Sequence, residues 1–380
     1  MSILVVQQAH WALLKKDFNN RTSIFYIHKL KIISILLKKN SIMITKLFIA
    51  CILIPFLIFT NSAFAQQANS NEDYSAYLPE VRAFNQQLAH MPQGFSILTK
   101  EGLSIARNSM APNSSAKPRL QPFVKYITGP AGNLTLRIFK PDTIRAVVLE
   151  IHGGGWSLGT AASDDIQNDN MARTCKVAVV SVDYRLAPEN PFPACINDCK
   201  VAAKWLVNNA MKQFGTAKLF ISGASAGGHL SAVTALYIRD SLHAIDLVRG
   251  VNLVYGCFDL SRTPSCRMAT DSTPILSKKY MNETYELVFH GWSEEQLQNP
   301  QYSPLYADLR NLPPALFTIG TADPLIDDTY FMESRWRLAG NKTYLATYPE
   351  SSHAFNFFPT KMATVANEKM FQWIIALCEK

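Results

Sequence analysis

Cysteine is scarce in this chain, with 7 in 380 residues, which excludes a fold held together by disulfides. No Cys-x-x-Cys pair or close His and Cys spacing occurs, so no metal and no metal cofactor is expected. There is no internal repeat and no low-complexity tract, which argues against solenoids and linker-rich arrays. A basic surface is missing as well. The net charge is +8, yet residues 1–65 hold eight Lys and Arg against one acid, Asp17, leaving 29 basic and 28 acidic residues beyond them. Nucleic acid is therefore not an expected partner. The apolar run Leu47–Thr60 is interrupted by Pro55 and falls short of the ~20 residues that a membrane helix needs.

That run has a different meaning. Met43-Ile44-Thr45-Lys46 precedes it and Ala63-Phe64-Ala65 follows it, the order of a basic region, a hydrophobic stretch and a small-residue cleavage site. Residues 43–65 are expected to act as a cleaved signal peptide, giving an exported, periplasmic or secreted protein with no stable membrane span. Retention as an anchor is the alternative. Residues 1–42, with the Lys- and Ile-rich stretch His28–Asn40, fit poorly ahead of an export signal and are expected to reflect a misassigned start, the competing reading being a genuine long basic leader.

Residues 66–380 suffice for one large α/β domain with a small lid. Tyr77, Val81, Phe84 and Leu88 are spaced for an amphipathic helix over Asp73–Met91, and a second helix is expected near Thr99–Met110. Ala111–Pro118 reads as a linker out of an α-helical N-terminal segment, 66–117, into the main domain, 118–380. Beyond it, expected strands at Leu134–Phe139, Ala146–Ile151, Val177–Val182, Lys218–Ser222, Val251–Tyr255, Ala315–Ile319 and Thr343–Tyr348 alternate with helices at Ile196–Asn209, Gly228–Arg239, Ile326–Leu338 and Thr364–Leu377. Such alternation predicts a mostly parallel central sheet with helices on both faces.

In parallel sheets chemistry gathers at the carboxyl ends of the strands, and four such ends are informative. After Lys218–Ser222 comes Gly223-Ala224-Ser225-Ala226-Gly227, a G-x-S-x-G turn that exposes a serine hydroxyl at a helix N-terminus. After Ala146–Ile151 comes His152-Gly153-Gly154-Gly155-Trp156, whose bare backbone lets amides approach a developing oxyanion. His353 follows the strand Thr343–Tyr348 and is the base favoured over His229, His243 and His290. Asp323, after Ala315–Ile319, is the favoured orienting acid; Asp327 and Asp328 compete with it but sit in the next helix.

Together with Asp183-Tyr184-Arg185-Leu186-Ala187-Pro188-Glu189, Asp323-Pro324-Leu325 and Ser352-His353-Ala354-Phe355, these segments resemble the hormone-sensitive-lipase family of α/β-hydrolase carboxylesterases, from about Asp73 to the C-terminus. The resemblance implies an α/β-hydrolase fold with a small helical N-terminal cap. It implies Ser225 as nucleophile, His353 as base and then acid, Asp323 as orienter, and the amides of Gly154, Gly155 and Ala226 as oxyanion donors. It also implies hydrolysis of small carboxylic esters, with short to medium acyl chains and no cofactor. Arg185 and Glu189 are expected to tie down a nearby loop, and Trp156 and Phe355 either to line the substrate pocket or to belong to the core. One position departs from the family pattern: Ala224 stands where Asp or Glu usually precedes the serine.

Two alternatives remain beside this reading. One is an exported deacetylase acting on carbohydrate or other acetyl esters. The other, of a different class, is a non-catalytic ligand-binding relative on the same scaffold.

Overall fold

Short runs of β-branched and aliphatic residues separated by helices set the architecture. The computed structural model of the chain describes residues 72–89, 95–111 and 117–379, all within one compact unit, Ala68–Lys380. The expected signal peptide, the extension before it and part of the linker lie outside the described residues.

Two helices come first, α1 (Leu78–Ala89) and α2 (Lys100–Ser109). Thr99 caps α2 by accepting a hydrogen bond from the Gly102 amide, supplying a partner that the first turn of a helix lacks. The strands are β1 (Phe123–Gly129), β2 (Gly132–Phe139), β3 (Ala146–Ile151), β4 (Val177–Asp183), β5 (Leu219–Ala224), β6 (Val248–Val254), β7 (Ala315–Gly320) and β8 (Thr343–Tyr348). Between and after them lie α3 (Asp165–Cys175), α4 (Ala194–Phe214), α5 (Ala226–Asp240), α6 (Lys278–Phe289), α7 (Ile326–Leu338) and α8 (Lys361–Cys378).

One eight-stranded sheet has the order β1-β2-β4-β3-β5-β6-β7-β8, with β1 and β2 antiparallel to their neighbours and the other pairs parallel. Every residue of β3 and β7 is buried, as expected for strands covered on both faces. On one face Leu149, Ile151, Ile221 and Leu253 pack with Ala202 and Leu206 of α4 and Leu230 of α5. On the other, Val148, Val179 and Phe220 pack with Met171 and Cys175 of α3 and with Met370 and Ile374 of α8.

Three of these elements were absent from the sequence expectation. β1 is an edge strand with Phe123, Val124 and Tyr126 exposed, so it shows no clean apolar alternation. α3 buries Asp165, Asn168 and Asp169 along with Met171, so its inward face reads as polar. These groups are paired: Asp165 with Arg137, and Asp169 with Arg173 and the amides of Arg119 and Leu120. α6, the third, opens on two lysines and is capped by Ser277.

The six cysteines from Cys175 to Cys378 are free and buried. Cys257 and Cys266 are not joined; Cys266 Sγ rests against Met281 Sδ at 3.6 Å and Cys257 Sγ against Tyr285 Oη at 3.7 Å. Among the described residues, no helix is long and apolar enough to cross a membrane.

Candidate active site

Ser225 sits between β5 and α5 with φ 57° and ψ −121°, outside the regions that a side-chain-bearing residue normally adopts. The neighbours explain how the turn fits. A Cβ on Gly227 would lie 1.9 Å from the Ile151 carbonyl oxygen, and one on Gly223 would lie 2.3 Å from the Gly227 oxygen. Both contacts are with backbone, which has no rotamer to yield, so the α5 start can press against β3 only if these positions carry no side chain.

His353 Nδ1 lies 2.7 Å from Asp323 Oδ2, and its Nε2 lies 2.9 Å from Ser225 Oγ. A carboxylate only accepts, so Nδ1 carries the proton, Nε2 is the acceptor and the Ser225 hydroxyl donates. The other Asp323 oxygen accepts the Leu325 amide at 2.9 Å. Asp323 and His353 are both buried, which strengthens their interaction. The competing acids are engaged elsewhere: Asp327 accepts the Ser265 amide, and Asp328 accepts the amides of Phe258 and Asp259 and the Thr263 hydroxyl.

The glycine loop after β3 lies beside the serine. A Cβ on Gly153 would sit 3.6 Å from Ser225 Cβ. Gly154, Gly155 and Trp156 all have positive φ, at 111°, 55° and 57°, and the Gly154 carbonyl accepts the Leu158 amide at 2.8 Å. A Cβ on Gly154 would meet the Leu158 carbonyl at 2.2 Å, so the turn requires glycine. Ala226 is the first residue of α5, where the amide has no acceptor within the helix. His152 stacks on Tyr184 at 4.1 Å and points its Nδ1–H at the Gly153 carbonyl, 2.8 Å away. Burial holds His152 neutral, lowering it to about 4.

Trp156 and Phe355 are both buried. Trp156 is buried against Phe192 and Phe289, and its indole N–H donates to His229 Nδ1 at 3.1 Å. His229 Nε2–H donates in turn to the Tyr302 carbonyl at 2.6 Å. Burial lowers His229 to about 4, so this ring is a neutral structural link. Phe355 packs between Tyr348 and Tyr255 and is likewise buried. Aromatic side chains beside a catalytic motif serve a core as readily as a pocket, and here both fill the core.

Arg185 and Glu189 also divide. Arg185 forks onto the buried Asp198 at 2.9 Å through Nε and through a terminal nitrogen. Glu189 is paired with Arg107 of α2 instead.

Several residues near the site belong to no catalytic motif. Tyr255, directly after β6, lays its ring 4.6 Å from that of His353 and donates its hydroxyl to Asn356; its place at a strand end was the available clue. Glu150 on β3 is fully enclosed beside Ser181, Asn168 and Asp164, and burial raises its carboxyl well above the usual range, with Asp164 raised to about 6. A cleft of about 400 Å³ lined by Arg262, Arg267, Lys278, Met281 and Tyr285 includes none of the Ser225, His353 or Asp323 side chains. No group of three or more His, Cys, Asp or Glu among the described residues is arranged to hold a metal ion.

Comparison with known proteins gives a consistent set of relatives. A sequence model for the alpha/beta hydrolase fold matches residues 148–357. Carboxylesterase NlhH of Mycobacterium tuberculosis is 32% identical over 273 residues, covering 67% of this chain and 82% of that protein. An arylesterase of Saccharolobus solfataricus is 34% identical over 232 residues, covering 58% and 72%. Among solved structures, a hyperthermophilic esterase from Pyrobaculum calidifontis has a TM-score of 0.68 at 30% identity, covering 79% of this chain and 98% of that one.

Proposed function

Because the chain belongs to the hormone-sensitive-lipase family of α/β-hydrolase carboxylesterases, we propose that it hydrolyses small carboxylic esters of short to medium acyl chain through an acyl-enzyme on Ser225. The observation that carries this reading is the hydrogen-bonded relay from Asp323 through His353 to Ser225, at 2.7 and 2.9 Å. Serine alone is a weak nucleophile, and this relay is what lets it give up its proton as it attacks.

In the first half-reaction Ser225 Oγ adds to the ester carbonyl carbon while its proton passes to His353 Nε2. The resulting oxyanion is held by the amides of Gly154, Gly155 and Ala226, each such donor contributing on the order of a hundredfold or more in rate. Collapse breaks the bond to the alkoxy oxygen, which takes the proton from Nε2 and leaves as alcohol. Water then enters, passes a proton to Nε2 and attacks the acyl carbon, and expulsion of Ser225 Oγ with that proton releases the acid. Asp323 keeps the imidazole in the tautomer that accepts at Nε2 and stabilises its charged form.

The helices α1 and α2 serve as the cap over this site. Residues 43–65 direct export and are removed, a reading supported by the order Lys46, Leu47–Thr60, Ala63-Phe64-Ala65 and tested by N-terminal sequencing of the exported protein.

The test of the activity is hydrolysis of p-nitrophenyl esters from acetate to palmitate by the wild type and Ser225→Ala. Turnover is expected to peak between acetate and hexanoate and to vanish in the variant. A variant retaining more than about a tenth of the turnover would overturn the choice of nucleophile, and a maximum at palmitate would overturn the chain-length reading.

A further inference from the structure

The outer side of the glycine loop is held by a single guanidinium. Arg107, near the C-terminal end of α2, donates from Nε to the Ser157 carbonyl at 3.0 Å and from one terminal nitrogen to the Ala187 carbonyl at 2.9 Å. Both of its terminal nitrogens donate to the Glu189 carboxylate, at 2.8 and 2.7 Å. The two carbonyls belong to different crossings of the sheet, one in the loop after β3 and one in the loop after β4. These loops are themselves joined, because the Ala187 amide donates to the Trp156 carbonyl at 3.0 Å.

Apolar packing grips the same loop. Leu158, one residue past Ser157, is buried against Ile97 and Leu103 from the α2 segment, with Ala106, Met110 and Tyr280 around them. The loop therefore meets the cap through a side chain and an adjacent backbone carbonyl. Each peptide unit is planar, with its C=O and N–H fixed relative to one another. Holding the carbonyls of Trp156 and Ser157 restricts the rotation of the short turn that carries the Gly154 and Gly155 amides.

We propose that Arg107 is a positioning residue for the oxyanion amides, so that seating of the cap helix and completion of the oxyanion hole are one event. Only a planar fork with several fixed donors can reach two carbonyls and a carboxylate together; an ammonium on a flexible stem cannot. The proposal rests on the reading of Gly154 and Gly155 as oxyanion donors. An error on the order of 1 Å in such groups costs about a hundredfold in rate, whereas loss of cap contacts alone weakens substrate binding.

The experiment compares kcat and KM on p-nitrophenyl butyrate for wild type, Arg107→Ala, Arg107→Lys, Glu189→Gln and Ser225→Ala, with thermal unfolding to establish that each is folded. In Arg107→Ala, kcat is expected to fall about ten- to a hundredfold with KM changed less than about threefold. Arg107→Lys stays low, and millimolar guanidinium restores part of kcat in Arg107→Ala while leaving the wild type unchanged. Glu189→Gln, which keeps both carbonyl contacts, retains kcat within about threefold. Should Arg107→Ala not fold, the same split is read from Arg107→Lys. A folded Arg107 variant with wild-type kcat, or one with a raised KM alone, overturns the positioning role. Turnover persisting in Ser225→Ala signals instead that the proposed mechanism has failed, so the two failures are distinguishable.

Discussion

His229 offers a quantitative test of how burial shapes this molecule. Its ring is enclosed, accepting from Trp156 and donating to the Tyr302 carbonyl, and burial lowers it from an ordinary 6.5 to about 4. The unfolded chain takes up the proton below pH 6.5, while the folded chain resists until pH 4. The stability linked to this ring is thus complete above 6.5, falls as pH drops through the window, and levels off below 4. Over that window the loss amounts to about 3 kcal/mol. His152 acts in the same sense. Opposing them, the half-buried carboxyl of Asp164 and the buried one of Asp328, raised to about 6 and about 7, and Glu150, also raised, bind protons first in the folded state and add stability as pH falls. The whole-protein curve mixes these signs, so the informative quantity is a difference. Urea unfolding of wild type and His229→Gln is measured from about pH 7.5 down to pH 4. Glutamine does not titrate, and the stability advantage of the wild type over the variant is expected to shrink by about 3 kcal/mol across that range. An advantage constant to within about 0.5 kcal/mol would falsify the neutral, enclosed state of this ring.

Three further outcomes follow from the geometry. Gly227→Ala places a methyl 1.9 Å from the Ile151 carbonyl oxygen and 2.7 Å from that of His152; it is expected to cost about 3 kcal/mol and to abolish turnover, and a Tm unchanged within about 1 °C refutes it. Arg185→Ala takes the guanidinium from the buried Asp198 carboxylate and leaves it the amide of residue 185; it is expected to destabilise by about 3 kcal/mol in urea unfolding, and a loss under about 1 kcal/mol would mean that the pair is dispensable. Tyr255→Phe removes a hydroxyl that donates to Asn356 but keeps the ring against His353. It is expected to cost about 1 kcal/mol while kcat changes less than threefold, and a tenfold fall in kcat would assign the hydroxyl itself a part in the reaction.

Much of this architecture was legible because the strongest sequence signals and the parallel sheet coincide. β3, α7 and β8 have the expected boundaries, and Ser225, Asp323 and His353 converge because each follows a strand whose carboxyl end faces the same edge of the sheet. Glycines were legible too, since the close approach of Gly227 to β3 tolerates no side chain. What escaped notice depended on partners distant in the chain. α3 hides Asp165 and Asp169 because Arg137 and the backbone at residues 119 and 120 reach them, and hydrophobic periodicity is blind to such pairing. Trp156 illustrates the converse: its bulk and position were plain, but whether it turned toward substrate or core depended on His229, a full 73 residues away. The Arg107–Glu189 pair joins two segments 82 residues apart, and one arginine among many carries no mark of its destination.

The six enclosed thiols have an experimental consequence. Burial pushes Cys175, Cys195 and Cys266 up to about 12, with Cys199 and Cys257 raised well above the ordinary thiol range. Alkylating reagents attack the thiolate, which these side chains scarcely form while packed. Labelling at a given sulfur therefore records an excursion that wets it, and its rate reports how often that part of the molecule opens. Cys195 and Cys199 watch α4, Cys257 and Cys266 the segment after β6, and Cys175 the end of α3. Peptide-resolved alkylation would turn these residues into native clocks of local opening, with no probe introduced by mutation.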